Sequence, residues 1–325
     1  MALILTRQDV MSVLNMKDCI NVVEQAFLEF NKGTAVLPLR TVIAPPDGLS
    51  LYMPAYLKGM GALACKVVTV YKDNPKKQNL PVTIGKVLLQ NPDSGEVICI
   101  MDGGYLTAVR TGAVSGVATK HIARDDKNQV AGIFGAGVQA QMQLVAMCEV
   151  RDISKALVYD LSDDAVNNFI SDLSEKLDIE IIQAKNADEV LQADIICTAT
   201  SSPTPIFDGI KVKLGTHING IGSHTPNARE LDTEIVQFSK FIGDSKEACL
   251  KEAGDFIIPL NDGAIDESHF YADLGEIVAG DKQAGKNDSE ITIFKSNGLA
   301  IQDAATAKLV YDKAVEAGIG QNIDL

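Results

Sequence analysis

The spacing of apolar residues changes twice along this chain, and each change marks a different kind of structure. Near the start, Thr6-x-x-Asp9 forms a capping signal, Ile20, Val23, Phe27 and Phe30 recur at helical intervals, and Gly33 supplies a stop, so the chain is expected to open with helices. From residue 49 the period shortens to that of strands, with candidates at 51–56, 62–70, 82–90 and 96–101, the last two joined by the turn Asn91-Pro-Asp-Ser-Gly95. Beyond residue 120, strand candidates at 130–134, 156–159, 180–182, 194–198, 216–221 and 240–243 alternate with helical patterns. Most of them are apolar throughout, as strands buried on both faces of a parallel sheet must be. A last helical pattern at 300–317 is expected to return to the first region. The pattern predicts an α/β protein with a doubly wound parallel sheet over residues 120–304 and a smaller α+β domain built from 1–119 with 305–325.

One segment gives the parallel sheet a purpose. Val130-Ala-Gly-Ile-Phe-Gly-Ala-Gly-Val-Gln-Ala140, followed by Val158-Tyr-Asp160, reads as strand, glycine turn, helix start and a second strand ending in an acid. Gly135 can take the positive φ of a tight turn, Gly137 lets backbone approach a pyrophosphate, and Ala140 is small enough for helix to pack on strand. The phosphates would face the helix opened by Val138 and Gln139, whose unpaired N–H groups favour an anion. A bare tight turn is the alternative, but the flanking strand and helix make the context that of a Rossmann-type dinucleotide seat. Asp160 stands where a carboxylate meets the adenosine ribose, and Leu161-Ser-Asp-Asp164 supplies no cation for a 2′-phosphate, so NAD is expected rather than NADP. Asp160 could instead cap the helix that begins near Asp163. Thr198, at the end of a later strand candidate, joins the cofactor-binding candidates.

Three cations stand where the pattern expects none. Lys66 interrupts Ala62-Leu-Ala-Cys-Lys-Val-Val-Thr-Val70, Arg110 lies in Leu106-Thr-Ala-Val-Arg-Thr-Gly-Ala113 at an expected helix start, and Arg40 lies in Leu37-Pro-Leu-Arg-Thr-Val42. A buried ammonium is costly unless an anion meets it, and a guanidinium fork matches a carboxylate. Singly, each is explained as well by an internal salt bridge, with Asp102 a candidate partner, or by a snorkelling surface side chain. Together they predict a pocket for an acidic small molecule beside the nicotinamide. Among the histidines, His121 and His269 read as ordinary surface or helix residues, and His217 falls inside a strand candidate. His224 follows an apolar strand, in Gly220-Ile-Gly-Ser-His-Thr-Pro226, where ligands bind in this architecture. It is a candidate proton donor or acceptor, with a solvated loop histidine as the alternative.

Composition narrows the class. The 325 residues are 46% hydrophobic and carry a formal charge of −14, which speaks against nucleic acid or an anionic membrane surface as a partner. Cys19, Cys65, Cys99, Cys148, Cys197 and Cys249 are scattered with no C-x-x-C pair, the usage of reduced thiols in a cytoplasmic protein, and no metal site is indicated. The opening residues turn polar too soon for a signal peptide, and no apolar run approaches membrane-spanning length.

The chain resembles the ornithine cyclodeaminase and mu-crystallin family, which includes alanine dehydrogenases and ketimine (imino-acid) reductases. The resemblance rests on Met53-Pro-Ala-Tyr56, the strand with Lys66, Met101-Asp102 followed by the Arg110 segment, the glycine turn, Gly220-Ile-Gly-Ser223 with Pro226 and Arg229-Glu-Leu-Asp232, and Phe294-Lys-Ser-Asn-Gly-Leu-Ala-Ile-Gln-Asp303. It implies that Arg40, Lys66 and Arg110 hold a substrate carboxylate, that Asp160 binds the ribose, that Thr111 and Ser296 lie near the cofactor, and that the first domain forms a homodimer. One departure stands out. Where the cyclodeaminases and the related alanine dehydrogenase carry a catalytic Asp two residues before the loop proline, this chain has His224. Neutral imidazole lacks the negative charge that would steady a cationic side-chain amine. The expectation is therefore an NAD(H)-dependent oxidoreductase acting on the C–N bond of a small amino or imino acid, with Lys66 and His224 as catalytic candidates. An ornithine cyclodeaminase-type lyase is the second reading, and a non-catalytic binding protein like mu-crystallin the third.

Overall fold

A computed structural model describes residues 1–324. The strands run in chain order as β1 (Ala2–Leu5), β2 (Ala35–Val36), β3 (Thr41–Ile43), β4 (Leu49–Leu57), β5 (Ala62–Val70), β6 (Thr83–Gln90) and β7 (Val97–Asp102). There follow β8 (Gln129–Phe134), β9 (Ile153–Tyr159), β10 (Glu180–Gln183), β11 (Ile195–Thr198) and β12 (His217–Gly220). The last are β13 (Ser239–Gly243), β14 (Phe270–Asp273), β15 (Ile291–Lys295) and β16 (Gln321–Ile323). The chain divides into two compact units, one comprising Met1–Thr111 and the chain from Leu299 onward, the other Gly112–Gly298.

In the first unit the sheet order is β16-β1-β7-β6-β5-β4-β2, with β3 also paired to β4. The run β4 to β7 is an antiparallel meander, and β1 adds parallel to β7. The expectation that the chain opens with helices is corrected here, because β1 precedes the helix Arg7–Val13. Four apolar residues are too few to show a period, and their partner is a strand far along the chain. The Thr6 signal is real: its side chain accepts from the Asp9 amide while the Asp9 carboxylate accepts from the Thr6 amide. The helices Met16–Asn31 and Ala300–Ala317 pack on each other, and the second also packs on β4 and β5.

The second unit is the doubly wound sheet, ordered β10-β9-β8-β11-β12-β15-β13-β14 with every pairing parallel. Alternate residues of its strands enter two separate cores. Phe134 and Ile196 join the cluster with Phe241, Phe256 and Phe270, whereas Ile133, Ile195 and Cys197 join the one with Leu144, Met147 and Phe169. This is the two-sided burial that apolar strands with a side-chain period of two require. Sequence reading also missed β2, β3, β14, β15 and the edge strand β16. Phe270-Tyr-Ala-Asp273 and Ile291-Thr-Ile-Phe-Lys295 each mix polar with apolar residues, and their strand character comes from the neighbours that flank them.

The units divide at 111/112 and 298/299, whereas the sequence pattern suggested 119/120 and 304/305. The first division falls inside the continuous helix Gly103–Ile122, so no turn or composition change marks it. The carboxyl end of that helix is closed by the buried Arg151. Its guanidinium donates to the carbonyls of Thr119, Lys120 and Ala123 at 2.7, 2.9 and 2.8 Å, and also to those of Arg124 and Val150. Replacing Arg151 by Met strands these buried acceptors and is expected to lower stability by about 3 kcal/mol. A urea midpoint within error of the parent protein would show that the carbonyls find other donors.

Candidate active site

The glycine turn has the geometry a dinucleotide needs. Gly135 has φ of 97°, and a Cβ there would lie 2.6 Å from the Ala199 carbonyl oxygen, so both backbone and space demand glycine. Gly137 is the N-cap of the helix Val138–Val150 and makes no side-chain cap, while nothing lies within 4 Å of where its Cβ would stand. Its backbone is open to a ligand, and the first-turn amides of a long helix follow it. Val138 is exposed, Gln139 half-buried and Ala140 wholly buried in the core behind the turn.

Asp160 directly follows β9 and faces this turn. Its Oδ2 accepts from the Ala136 amide and its Oδ1 from the Ser162 amide, both at 2.9 Å, leaving each oxygen a further acceptor site. The helix Asp163–Ser174 is capped by Ser162, so the capping alternative for Asp160 does not hold. An acceptor fixed beside the glycine turn, followed by Asp163 and Asp164, fits an adenosine with a free 2′-hydroxyl and disfavours a 2′-phosphate.

Two of the cofactor candidates turn their hydroxyls inward. Thr198 is fully buried and donates to Glu230 Oε2 at 2.7 Å, and Ser296 donates to Asp244 Oδ2 at 3.3 Å. What either offers a ligand is backbone. Thr111 is buried on the Gly103–Ile122 helix, one residue after Arg110. Glu230, present in the sequence only as part of Arg229-Glu-Leu-Asp232 and given no role there, braces the carboxyl edge of the sheet. It accepts from the Thr200 amide and hydroxyl at 2.7 Å and from the Gly222 amide at 2.8 Å, so one carboxylate joins the turns after β11 and β12. Burial raises its carboxyl above the ordinary range against the pull of Lys295. Lys295 is itself completely buried, pairs with Asp255 at 2.8 Å and donates to the Ser223 carbonyl. Asp255 in turn accepts from the Glu230 and Leu231 amides at 2.7 and 3.0 Å. His224 projects from the loop held at both ends in this way, and it is exposed. His217 is the opposite case: burial pushes its imidazole down to about 3, so it stays neutral in the core.

In the first unit the cations meet one carboxylate. Lys66 Nζ lies 2.8 Å from Asp303 Oδ2, and Arg110 Nε donates to Asp303 Oδ1 at 2.9 Å, while Arg110 Nη1 donates to Gln302 Oε1 at 2.8 Å. Lys66, Arg110 and Asp303 are 2%, 5% and 1% exposed. The expectation that Asp102 partners one of these cations is corrected, because Asp102 faces Lys86 at 3.4 Å and accepts from the Tyr105 amide. Arg110 lies well inside its helix, which begins at Gly103, rather than at a helix start. Burial pushes the Lys66 ammonium down to about 8, helped by Arg110 and opposed by Asp303, with Arg40 adding a smaller push in the same direction. Arg40 itself is half-buried, in the segment before β3. Burial would raise the Asp303 carboxyl, but Arg110 and Lys66 outweigh it and hold it below the usual carboxylate range. The last residue of Phe294–Asp303 was visible in the sequence as part of a motif, but nothing in a helical run announces that it will meet Lys66.

The fold and the turn define a dinucleotide-binding protein with a separate cationic site. The description of the ornithine cyclodeaminase/mu-crystallin family matches residues 1–318, and the chain belongs to that family. It is 38% identical over 326 residues to a Delta(1)-pyrroline-2-carboxylate reductase of Bacillus cereus, covering 99% of each chain. The structure of Thermococcus litoralis Delta(1)-pyrroline-2-carboxylate reductase in complex with NADH and L-proline superposes with a TM-score of 0.95 at 50% identity, covering 99% of this chain and 100% of that one. An archaeal alanine dehydrogenase dimer with bound NAD gives a TM-score of 0.94 at 35% identity, covering 100% and 99%.

Gly135→Ala is expected to weaken NADH binding by roughly tenfold or more, because a non-glycine residue at this φ and this distance from a carbonyl must displace the turn. Fluorescence titration with NADH measures it, and an unchanged affinity would remove the turn from the cofactor seat.

Proposed function

We propose that this chain is an NAD(H)-dependent oxidoreductase acting on the C–N bond of a small amino or imino acid, with cyclic imino acids such as pyrroline- or piperideine-2-carboxylate as the substrate class. The observation that carries this reading is the arrangement around Asp303, where two buried cations, Lys66 and Arg110, share one carboxylate, so that the trio carries a positive charge in excess. A second small carboxylate completes such a site. The proline and NADH held by the Thermococcus litoralis relative supply the chemical class of acid and cofactor. Reversible oxidation of an α-amino acid of the alanine type is the second substrate reading, favoured by the archaeal alanine dehydrogenase relative.

Bound NADH would supply a hydride to C2 of the imine. Lys66, Arg110 and Arg40 take the substrate carboxylate and so fix C2, which is most of the catalytic task. As C2 gains the hydride and its electron pair, the C=N π pair moves onto nitrogen, and nitrogen needs a proton. His224, directly or through water, is assigned that proton, and protonation before transfer makes the imine the better acceptor. Thr111, Gly135, Gly137, Val138, Gln139, Asp160, Thr198 and Ser296 are assigned to the cofactor, the last two through backbone. The enzyme is further assigned to the cytoplasm, in keeping with six unpaired cysteines, and to a homodimer, as in the archaeal relative.

Incubation with NADH and a panel of cyclic imino acids is expected to consume NADH in step with imine. Ammonia release from ornithine with no net change in NADH would instead identify a cyclodeaminase. Arg110→Ala is expected to raise the substrate KM by roughly a hundredfold with a smaller loss of kcat, and an unchanged KM would place the carboxylate elsewhere. His224→Ala should depress kcat while NADH affinity holds, and equal turnover would remove His224 from the chemistry. Lys66 sets the alkaline side of the profile. Its folded value lies below the ordinary 10.5, so the ammonium that grips the carboxylate is lost as pH rises through about 8, and kcat/KM for the imino acid should fall there. Lys66→Arg, which stays charged, should abolish that fall.

A further inference from the structure

We propose that Asp303 is the positioning residue of the carboxylate site, a single buried side chain that sets Lys66 and Arg110 side by side and thereby fixes where an acid substrate can bind. The inference rests on the reading that Lys66 and Arg110 receive the substrate carboxylate. Each carboxylate oxygen is given to a different cation, Oδ2 to Lys66 at 2.8 Å and Oδ1 to Arg110 at 2.9 Å, so the rotation of one carboxylate determines both. The three groups come from β5, the Gly103–Ile122 helix and the Ala300–Ala317 helix, and no two are neighbours in the chain. Gln302, the preceding residue on the same helix, accepts from Arg110 Nη1 through Oε1 at 2.8 Å and so holds the other edge of the guanidinium. Its Nε2 is buried and has no partner among the described residues, a donor left available to an acceptor beside Arg110.

Asp303 has a second effect besides geometry. The charged groups facing Lys66 are Arg110 from the helix, Arg40 from the segment before β3 and Asp303 from the last helix. Burial and both arginines disfavour the ammonium, and Asp303 favours it. The thiol of Cys19, on the Met16–Asn31 helix and also close to Arg110 and Asp303, is pushed up to about 12 by burial and contributes no charge. A carboxylate that merely neutralised the cations would compete with substrate. One that keeps Lys66 protonated and both donors aimed assists it.

The two roles predict opposite results for Asp303→Asn, which keeps the shape and removes the charge. If Asp303 positions and charges the pair, Lys66 should titrate lower by roughly one to two pH units, followed by NMR of its side-chain nitrogen in the intact protein. The imino-acid KM at neutral pH should then rise by roughly tenfold, as expected when the ammonium form becomes the minority. NADH affinity, which depends mainly on the glycine turn and Asp160 of the other unit, should hold. Asp303→Glu retains the charge but displaces it by a methylene, so Lys66 should titrate near its parent value while KM still rises. An Asn variant in which Lys66 titrates as before, or in which KM falls because substrate takes over the released cations, overturns the inference, as does a Glu variant with unchanged KM. If Lys66 shifts in the Asn variant while KM holds in that variant and rises in the Glu variant, the grip of Asp303 on Lys66 is upheld. The assignment of Lys66 to the substrate carboxylate then fails instead.

Discussion

The structure of the first unit turns on one carboxylate shared between two buried cations. Asp303 favours the charged form of the buried Lys66, and Arg110 and Lys66 together keep the buried Asp303 ionised. The shared ion pair also joins three segments distant in sequence, a central strand of the meander, a long helix and the helix formed by the returning chain. Two positive charges against one negative is an arrangement that costs stability for its own sake. The excess charge is what a second anion would offset, and it is the physical basis of the substrate assignment proposed for this site.

The second unit solves a different problem with the same group. A doubly wound sheet ends in turns whose amides have no ladder partner, and at its carboxyl edge these amides are met by side-chain acids. Asp160 accepts from Ala136 and Ser162, Glu230 from Thr200 and Gly222, Asp255 from Glu230 and Leu231, and Asp244 from Asn297 and Gly298. The effect is to fix the turns around the cofactor seat by charge-assisted hydrogen bonds rather than by packing, which a ligand-facing edge cannot use. Lys295 balances two of these acids and anchors the Ser223 carbonyl, one residue before His224. The backbone just before His224 is thus held by groups buried beneath it.

Family membership narrows the chemistry without choosing within it. Solved structures named as reductases, dehydrogenases and cyclodeaminases share this frame, so the fold alone does not select among their chemistries. A histidine at 224 retains proton transfer and gives up the fixed negative charge of an aspartate. On the proposed assignment of His224, this favours reduction of an imine, which needs a proton on nitrogen, over cyclisation of a diamine, which also needs a second ammonium held in place.

The sequence by itself determined the class of fold, the glycine turn and the identity of the unusual cations, because each is a local signal. Continuous apolar runs report two-sided burial, Gly135 reports a positive φ, and Lys66 within an apolar strand reports a charge in need of an anion. Tertiary structure alone decided which anion that would be. Asp102 lay close in sequence and Asp303 far away, and side chains brought together by a long-range fold leave no mark in local spacing. The same reason hid the division of the units inside one helix, the strand character of β1, β14, β15 and β16, and the inward hydrogen bonds of Thr198 and Ser296. A period can say which face of a strand is buried, but what lies against that face depends on chain closure over distances that no local pattern records.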